Sequence, residues 1–401
     1  MTGVQTCALP ISDIAGQARH QRQVEHSTYP RRHLQRVGDQ LEGAESSLRA
    51  ASVLLGAAAV AIACASPPPP PPPPPKPVVV GPPTDTIRIP INDLATRTYF
   101  KNPGGLYPGG NNQPPSDQDS AARARRNAIR ALDVNGDESP FGKFVLLSIG
   151  MGNATEEWCS KTSRPPCTSW SFMGRAALDP TVNRFSLVIV NGAADSLDAP
   201  AWTSATSPAY DRVKVARLAP LGLSENQVEI VWLKLADPRP AVSLPADSAD
   251  AYVFLTNVAL AVRALRVRYP NLQLVFISSR SYGGYATNNW NPEPFAYEEG
   301  FSVKWAIESQ INEMRGQAPN PRAGTLSNAK KVAPVMLWGP YLWADGMTPR
   351  GDALVWQRTD FEEDGVHPSQ NGESKVGLML LDFFKSSPYT RCWFLANQYC
   401  L

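Results

Sequence analysis

Five short apolar runs recur along the chain beyond residue 142, at residues 144–149, 185–190, 228–233, 272–278 and 332–338. Each is rich in valine, isoleucine and leucine, and none alternates with polar residues. Longer segments with a different rhythm separate them. Phe254, Val258, Val262 and Leu265 recur at helical spacing before Pro270, and Val303, Ile307, Ile311 and Met314 do so further on. Val376, Leu380 and Phe384 mark a last helix. Continuous apolar strands alternating with amphipathic helices predict a parallel sheet covered on both faces. The fold class is therefore α/β. In such sheets ligands bind beyond the carboxyl ends of the strands.

The first part of the chain reads differently. Residues 1–49 are polar and lack apolar periodicity, and the opening MTGVQTCALPIS resembles a translated sequencing adapter of the kind carried by assembled metagenomic reading frames. Residues 50–64 are uninterrupted small and apolar positions. That is shorter than the roughly 20 residues a membrane span needs, but suits the apolar core of a signal peptide. The run ends in Ala61-Ile62-Ala63-Cys64, similar to a bacterial lipobox with Cys64 as the acylated residue; plain signal-peptidase cleavage is the other reading. Nine prolines, 67 to 75, follow, a polyproline II spacer of roughly 28 Å. The expected organisation is a leader (1–49), an export segment (50–64), a proline-rich linker (65–83), an extension packed on the core (84–142) and the α/β domain (143–401). Within the extension, short strands and turns and a polar helix over 120–132 are expected, with Arg123, Arg125, Arg126 and Arg130 forming a solvated face.

Composition narrows the function classes. The 401 residues are 43% hydrophobic and carry a net charge of +2, which gives no reason to expect a nucleic-acid partner. Membrane contact is expected only through the N-terminal lipid anchor, and the oligomeric state stays open. No cofactor motif is present, and the described cysteine and histidine usage does not suit a metal site. Cys159/Cys167 and Cys392/Cys400 form close pairs, read as short-loop disulfides of an oxidising compartment or else as unpaired buried thiols. The chain has four histidines, and three (His20, His26, His33) precede the export segment. His367 is left as the only imidazole of the mature protein, in Asp364-Gly365-Val366-His367-Pro368-Ser369. A histidine general base, if one exists, is His367; the bland alternative is an exposed turn in which Asp364 caps the next segment.

The ends of the strands carry the remaining candidates. The first run ends in Ser148-Ile149-Gly150-Met151-Gly152-Asn153, the second in Asn191-Gly192-Ala193, and the third in Lys234-Leu235-Ala236-Asp237. Together with the late Asp364-x-x-His367, this order resembles the SGNH (GDSL-type) hydrolase superfamily over about residues 143–385, and the resemblance implies a three-layer α/β/α sandwich with a five-stranded parallel sheet in flavodoxin-like order. The first block is most similar to sialate-O-acetylesterase-like carbohydrate acetylesterases. The resemblance implies His367 as base, Asp364 as its orienter, and the Gly152 and Gly192 N–H groups as oxyanion donors. Two positions depart from the family pattern. Gly152 stands where the nucleophilic serine is expected, and Asp237 where an oxyanion-binding asparagine is expected. Either the cleft has lost its acyl-enzyme chemistry, or Ser148 replaces the nucleophile, or His367 activates water directly.

The fourth run ends in Ser279-Arg280-Ser281-Tyr282-Gly283-Gly284-Tyr285. Arg280 is suited to hold a carboxylate or sugar hydroxyl and Tyr282 to stack on a sugar face, with Asn153 and Asn191 as further substrate contacts. The opposite reading pairs Arg280 with Glu293, Glu298 or Glu299. Trp338, Tyr341 and Trp343 suit a carbohydrate or simple core packing, and Asp345, Arg350 and Asp352 have no assigned role. The resulting expectation is an ester hydrolase acting on an acylated carbohydrate, acetyl being the acyl group the first block suggests, at the bacterial cell surface. A glycan-binding lipoprotein that has lost catalysis is the alternative.

Overall fold

In the computed structural model, residues 84–398 and 400 are described. The expectations for the leader, the export segment, the lipidated Cys64 and the polyproline run lie outside these residues.

Five strands build the central sheet: β1 (Phe144–Gly150), β2 (Leu187–Asn191), β3 (Val228–Lys234), β4 (Leu274–Ile277) and β5 (Val335–Trp338). All neighbours are parallel, in the order β2-β1-β3-β4-β5. This is the flavodoxin-like order, with the chain reversing direction across the sheet between β1 and β3. Helices α1 (Ser116–Arg126), α2 (Gly152–Trp158), α3 (Phe172–Leu178), α4 (Asp250–Arg268), α5 (Phe295–Met314) and α6 (Gln370–Ser386) surround it. Among the described residues, no helix is long and apolar enough to cross a membrane.

The strands feed two separate cores because successive side chains point to opposite faces. Val145, Leu147 and Ile149 of β1, Val231 and Leu233 of β3, and Val275 and Ile277 of β4 join α4 and α5 in one core. Leu146, Ile230, Trp232, Leu274 and Phe276 enter the other, with α2, α3 and α6. Full burial of each such side chain contributes about 1.5–3 kcal/mol, so burial on both faces explains why the runs are uninterruptedly apolar.

The edge strand β5 is not left open. Gln310 Oε1 accepts from the Met336 N–H at 2.8 Å, Gln118 Nε2 donates to the Met336 carbonyl at 2.5 Å, and the Trp338 N–H donates to the Tyr107 hydroxyl at 3.1 Å. Polar side chains from α5, α1 and the Tyr107 loop thereby take up the groups that an edge exposes.

Residues before β1 hold two short elements and one helix that differs from expectation. Thr98–Tyr99 pairs antiparallel with Asn102–Pro103, and Ile91–Leu94 is one helical turn whose Ile91 and Leu94 are buried. Helix α1 starts earlier and stops sooner than the 120–132 segment read from the sequence. Pro115 precedes its first turn, and Asp117 and Asp119 there complement the helix dipole. Beyond Asn127 the chain is drawn away by pairing, since Leu132 and Lys143 exchange backbone bonds of 3.1 and 2.8 Å. The solvated arginine face is partial: Arg123 bonds Asp119 at 2.9 Å, whereas Arg126 donates to the Pro388 carbonyl at 3.1 Å.

Both close cysteine pairs are disulfides, Cys159–Cys167 and Cys392–Cys400. The first ties the end of α2 to the loop before α3, and the second fastens the tail beyond the short helix Arg391–Phe394.

Candidate functional site

A cavity of about 700 Å³ opens beyond the carboxyl ends of β1, β2, β3 and β4. Its wall includes Gly152 and Asn153 after β1, Asp195 and Asp198 after β2, Asp237 and Arg239 after β3, Arg280 after β4, and His367 from the late loop. The position follows from topology. Where the chain reverses between β1 and β3, the loops diverge and leave a crevice.

The late loop is tightly specified. Asp364 Oδ2 lies 2.5 Å from His367 Nδ1, while Oδ1 accepts the Val366 and His367 N–H groups at 2.9 and 3.0 Å. Burial works to raise the Asp364 carboxyl, but these N–H donors and the imidazole outweigh it and hold the carboxyl below its ordinary value. With Nδ1 engaged, Nε2 is the nitrogen left for the cavity. Two outside bonds fix the loop: Asn153 Nδ2 donates to the Val366 carbonyl at 2.8 Å, and the Thr287 N–H donates to the Asp364 carbonyl at 2.9 Å. Gly365 has φ +69°, and a Cβ there would collide with the Tyr285 carbonyl oxygen, so both conformation and space require glycine.

Gly152 opens α2, where the first N–H groups of a helix lack intrahelical acceptors. It has no side chain to offer. A Cβ placed on it would lie 2.8 Å from Asp195 Oδ1.

Several residues expected at the site are elsewhere. Ser148, the fallback nucleophile, is fully buried within β1, and its hydroxyl donates to Asn191 Oδ1 at 2.9 Å. Gly192, expected as an oxyanion donor, directs its N–H to the Ser148 carbonyl at 3.0 Å and the Ser148 hydroxyl at 3.2 Å. Asn191, expected against substrate, donates instead to the Thr155 carbonyl at 3.1 Å. These three residues form one internal network joining β1, β2 and α2, outside the cavity wall. Tyr282 is also outside it, packed edge-on to Tyr285 with ring centroids 5.1 Å apart. Asn153 does border the cavity, although its amide nitrogen serves the His367 loop.

Asp237 and Arg280 are at the cavity. The Asp237 N–H donates to Glu299 Oε1 at 2.6 Å, and burial raises the Asp237 carboxyl above its ordinary value. Arg280 is only 3% exposed and makes no ion pair with Glu293, Glu298 or Glu299 within 4.0 Å; its Nη1 rests on the Met151 sulfur at 3.7 Å, and its Nε has no partner. Burial lowers its ordinarily high pKa, opposed first by Glu299 and Glu157. Beneath the floor, Lys234 at the end of β3 donates to both Glu157 oxygens at 2.6 Å, with both side chains out of solvent. Burial pulls both partners toward neutrality, and their mutual bonds oppose it.

The aromatic group after β5 is structural. Trp338 Nε1 donates to the Leu106 carbonyl at 2.6 Å, the Tyr341 hydroxyl accepts the Ile91 N–H at 3.2 Å, and Trp343 Nε1 donates to Glu293 at 2.7 Å. Arg350 holds Asp352 through two bonds of 2.8 and 2.7 Å and caps the Tyr341 and Trp343 carbonyls, which gives those residues a packing role. Trp290, which sequence reading missed, is 43% exposed at the cavity and stands edge-on to His367 at 5.7 Å. Asp195, Asp198 and Arg239 were missed as well. Their only sequence signal is a position shortly after an apolar run.

No family model matches the chain, and no curated protein matches it. Among solved structures, it is similar to an extracellular lipase from Streptomyces rimosus at 14% identity and a TM-score of 0.28, over 59% of this chain and 98% of the other. It is similar to a GDSL-like lipase from Parabacteroides merdae at 14% identity and a TM-score of 0.33, over 63% of this chain and 97% of the other. A salicylyl-acyltransferase from a tetracycline biosynthetic pathway shares 13% identity at a TM-score of 0.30, over 61% of this chain and 54% of its own. Scores of this size leave any activity to be argued from the site itself.

Proposed function

We propose that the chain is an ester hydrolase working in the cavity beyond the strand ends. The observation that carries this reading is the Asp364–His367 pair: a carboxylate 2.5 Å from Nδ1 fixes the tautomer and leaves Nε2 at a cavity of about 700 Å³. In that role Asp364 orients the ring and stabilises the imidazolium, and His367 takes and returns the proton. The N–H of Gly152 is the backbone donor left for a developing oxyanion.

The substrate class we infer is an acylated carbohydrate. Its support is chemical: Trp290 offers an exposed ring beside His367, and Asp195, Asp198, Asp237, Arg239 and Arg280 offer acceptors and donors for hydroxyl groups. Two disulfides suit an oxidising, extracytoplasmic setting. A lipid anchor at Cys64 with the proline run as spacer would hold the cavity clear of a membrane, and stands as part of this proposal. One observation favours a second reading, a binding protein without turnover: position 152 has no hydroxyl.

Hydrolysis of 4-nitrophenyl acetate and of a peracetylated methyl glycoside by the wild type and His367→Ala separates the two. The expected result is turnover in the wild type that falls by about 10²- to 10⁴-fold in His367→Ala. Equal background rates in both, with the glycoside still bound in calorimetry, would replace the hydrolase by the binding protein.

A further inference from the structure

A mechanism without a side chain at position 152 needs another group to direct the attacking oxygen, and the structure places a carboxylate in front of that position. Asp195 Oδ1 lies 2.8 Å from where a Cβ on Gly152 would be. The carboxylate is exposed to the cavity and has no hydrogen-bond partner among the described residues. Gly152 is also next to the histidine loop, because its neighbour Asn153 donates to the Val366 carbonyl at 2.8 Å and His367 follows directly. Asp195, Gly152 and His367 therefore border one space from three different strand ends.

Two chemistries are open to such a carboxylate. Attack by Asp195 itself would give a tetrahedral adduct that must expel either the Asp195 carboxylate or the sugar alkoxide. A carboxylate is a far better leaving group than an alkoxide, so the adduct reverts. A carboxylate that orients water meets no such obstacle. We propose that Asp195 and His367 hold one water between them, and that this water attacks the ester carbonyl in the place of a protein hydroxyl. The inference rests on the ester-hydrolase reading and adds to it the group that stands in for the missing nucleophile.

The step balances without a further reactant. One water O–H points to Asp195, the other to His367 Nε2. His367 accepts the second proton as the water oxygen bonds to the carbonyl carbon. The ester C–O bond then breaks, and the imidazolium returns its proton to the departing alkoxide. The products are the free carboxylic acid and a sugar hydroxyl. Asp195 takes no proton in this step and, with Asp364, stabilises the transient imidazolium.

The test compares wild type, Asp195→Asn, Asp195→Ala and His367→Ala on 4-nitrophenyl acetate and the peracetylated methyl glycoside, with thermal melting as the control for folding. Asp195→Asn is expected to lose about tenfold to a hundredfold in kcat with KM nearly unchanged, and the wild type to release 4-nitrophenol without a pre-steady-state burst. Single turnover in ¹⁸O-water should label the released acetate and leave the protein unlabelled. Adding a hydroxyl in place of the carboxylate, Gly152→Ser with Asp195→Ala, should restore turnover and introduce a burst. Wild-type kcat in a folded Asp195→Ala alongside an inactive His367→Ala would overturn the role of Asp195 and leave the hydrolase standing. A wild-type burst, or label in Asp195, would overturn the water route. A wild type with no turnover on either ester overturns this inference and the hydrolase reading together.

Discussion

Gly365 shows how much of the site hangs on single residues. Its φ of +69° and its contact with the Tyr285 carbonyl leave no room for a methyl group. The turn it makes is what returns the Asp364 carboxylate to the imidazole three residues later. Gly365→Ala is expected to cost about 1–3 kcal/mol in stability and to lower ester turnover further than the loss of folded protein explains; urea melts and kcat measured on the same preparations check both. The same scale shows what the sequence could and could not reveal. Asp364 and His367 were legible because three residues of spacing and a glycine specify the pair locally. Gly192, Asn191 and Ser148 were misplaced because their groups are consumed by one another. Whether an N–H at a strand's end faces the cavity or extends the ladder depends on where pairing stops, which no local pattern encodes.

At the scale of elements, the catalytic candidates are held by contacts between loops and helix starts. Asn153 lies in the first turn of α2, 3% exposed, and its amide is the bolt between that helix and the His367 loop. Removing it leaves a carbonyl unpaired inside the protein, at a cost of about 1–3 kcal/mol. Asn153→Ala should therefore show faster amide hydrogen exchange in 364–367 while the exchange of β1 and β3 stays unchanged; uniform acceleration throughout would assign Asn153 to global stability instead. Strands and long helices were legible from the sequence because their periodicity is set by burial on two faces. Helix α1 was misplaced by several residues, since its start depends on Pro115 and its end on the bridge between Leu132 and Lys143.

Taken as a whole, the molecule buries an unusual set of carboxyls. Glu229 in β3 is 1% exposed, its Oε2 has no partner, and burial pushes it up to about 8. Burial likewise pushes Glu156 and Glu299 up to about 8 and Glu298 to about 7. A carboxyl raised in the folded state binds its proton more tightly there than in the unfolded chain. Its contribution to stability is full below the ordinary value of 4.5 and is lost as pH rises through about 8. Melting temperature should thus decline from about pH 5 to about pH 9, and Glu229→Gln should flatten that decline. A profile that rises over this range, or a variant with the wild-type slope, would contradict the assignment. The α/β class was readable because it follows from the alternation of apolar strands and amphipathic helices beyond residue 143, and the sheet order came from the resemblance of the strand-end motifs. The cavity's population was readable only in part: Gly152, Asn153, Asp237, Arg280 and His367 were named from their places in the sequence, whereas Asp195, Asp198, Arg239 and Trp290 were not. The missed four are brought to the wall only by the sheet's topology, from loops whose conformation has no repeating signature.

Trp290 carries a last consequence. Six indoles, Trp158, Trp202, Trp232, Trp343, Trp356 and Trp393, are among the largest fully buried side chains, whereas Trp290 is solvent-facing and edge-on to His367. Iodide in solution reaches Trp290 most readily, Trp170 and Trp305 being half-buried, and leaves the fully buried indoles alone. The Trp290 emission is separable from the rest as the difference between the wild type and Trp290→Phe. The cavity thus contains its own optical gauge, one that registers the arrival of a ligand without a chromogenic substrate or an attached dye.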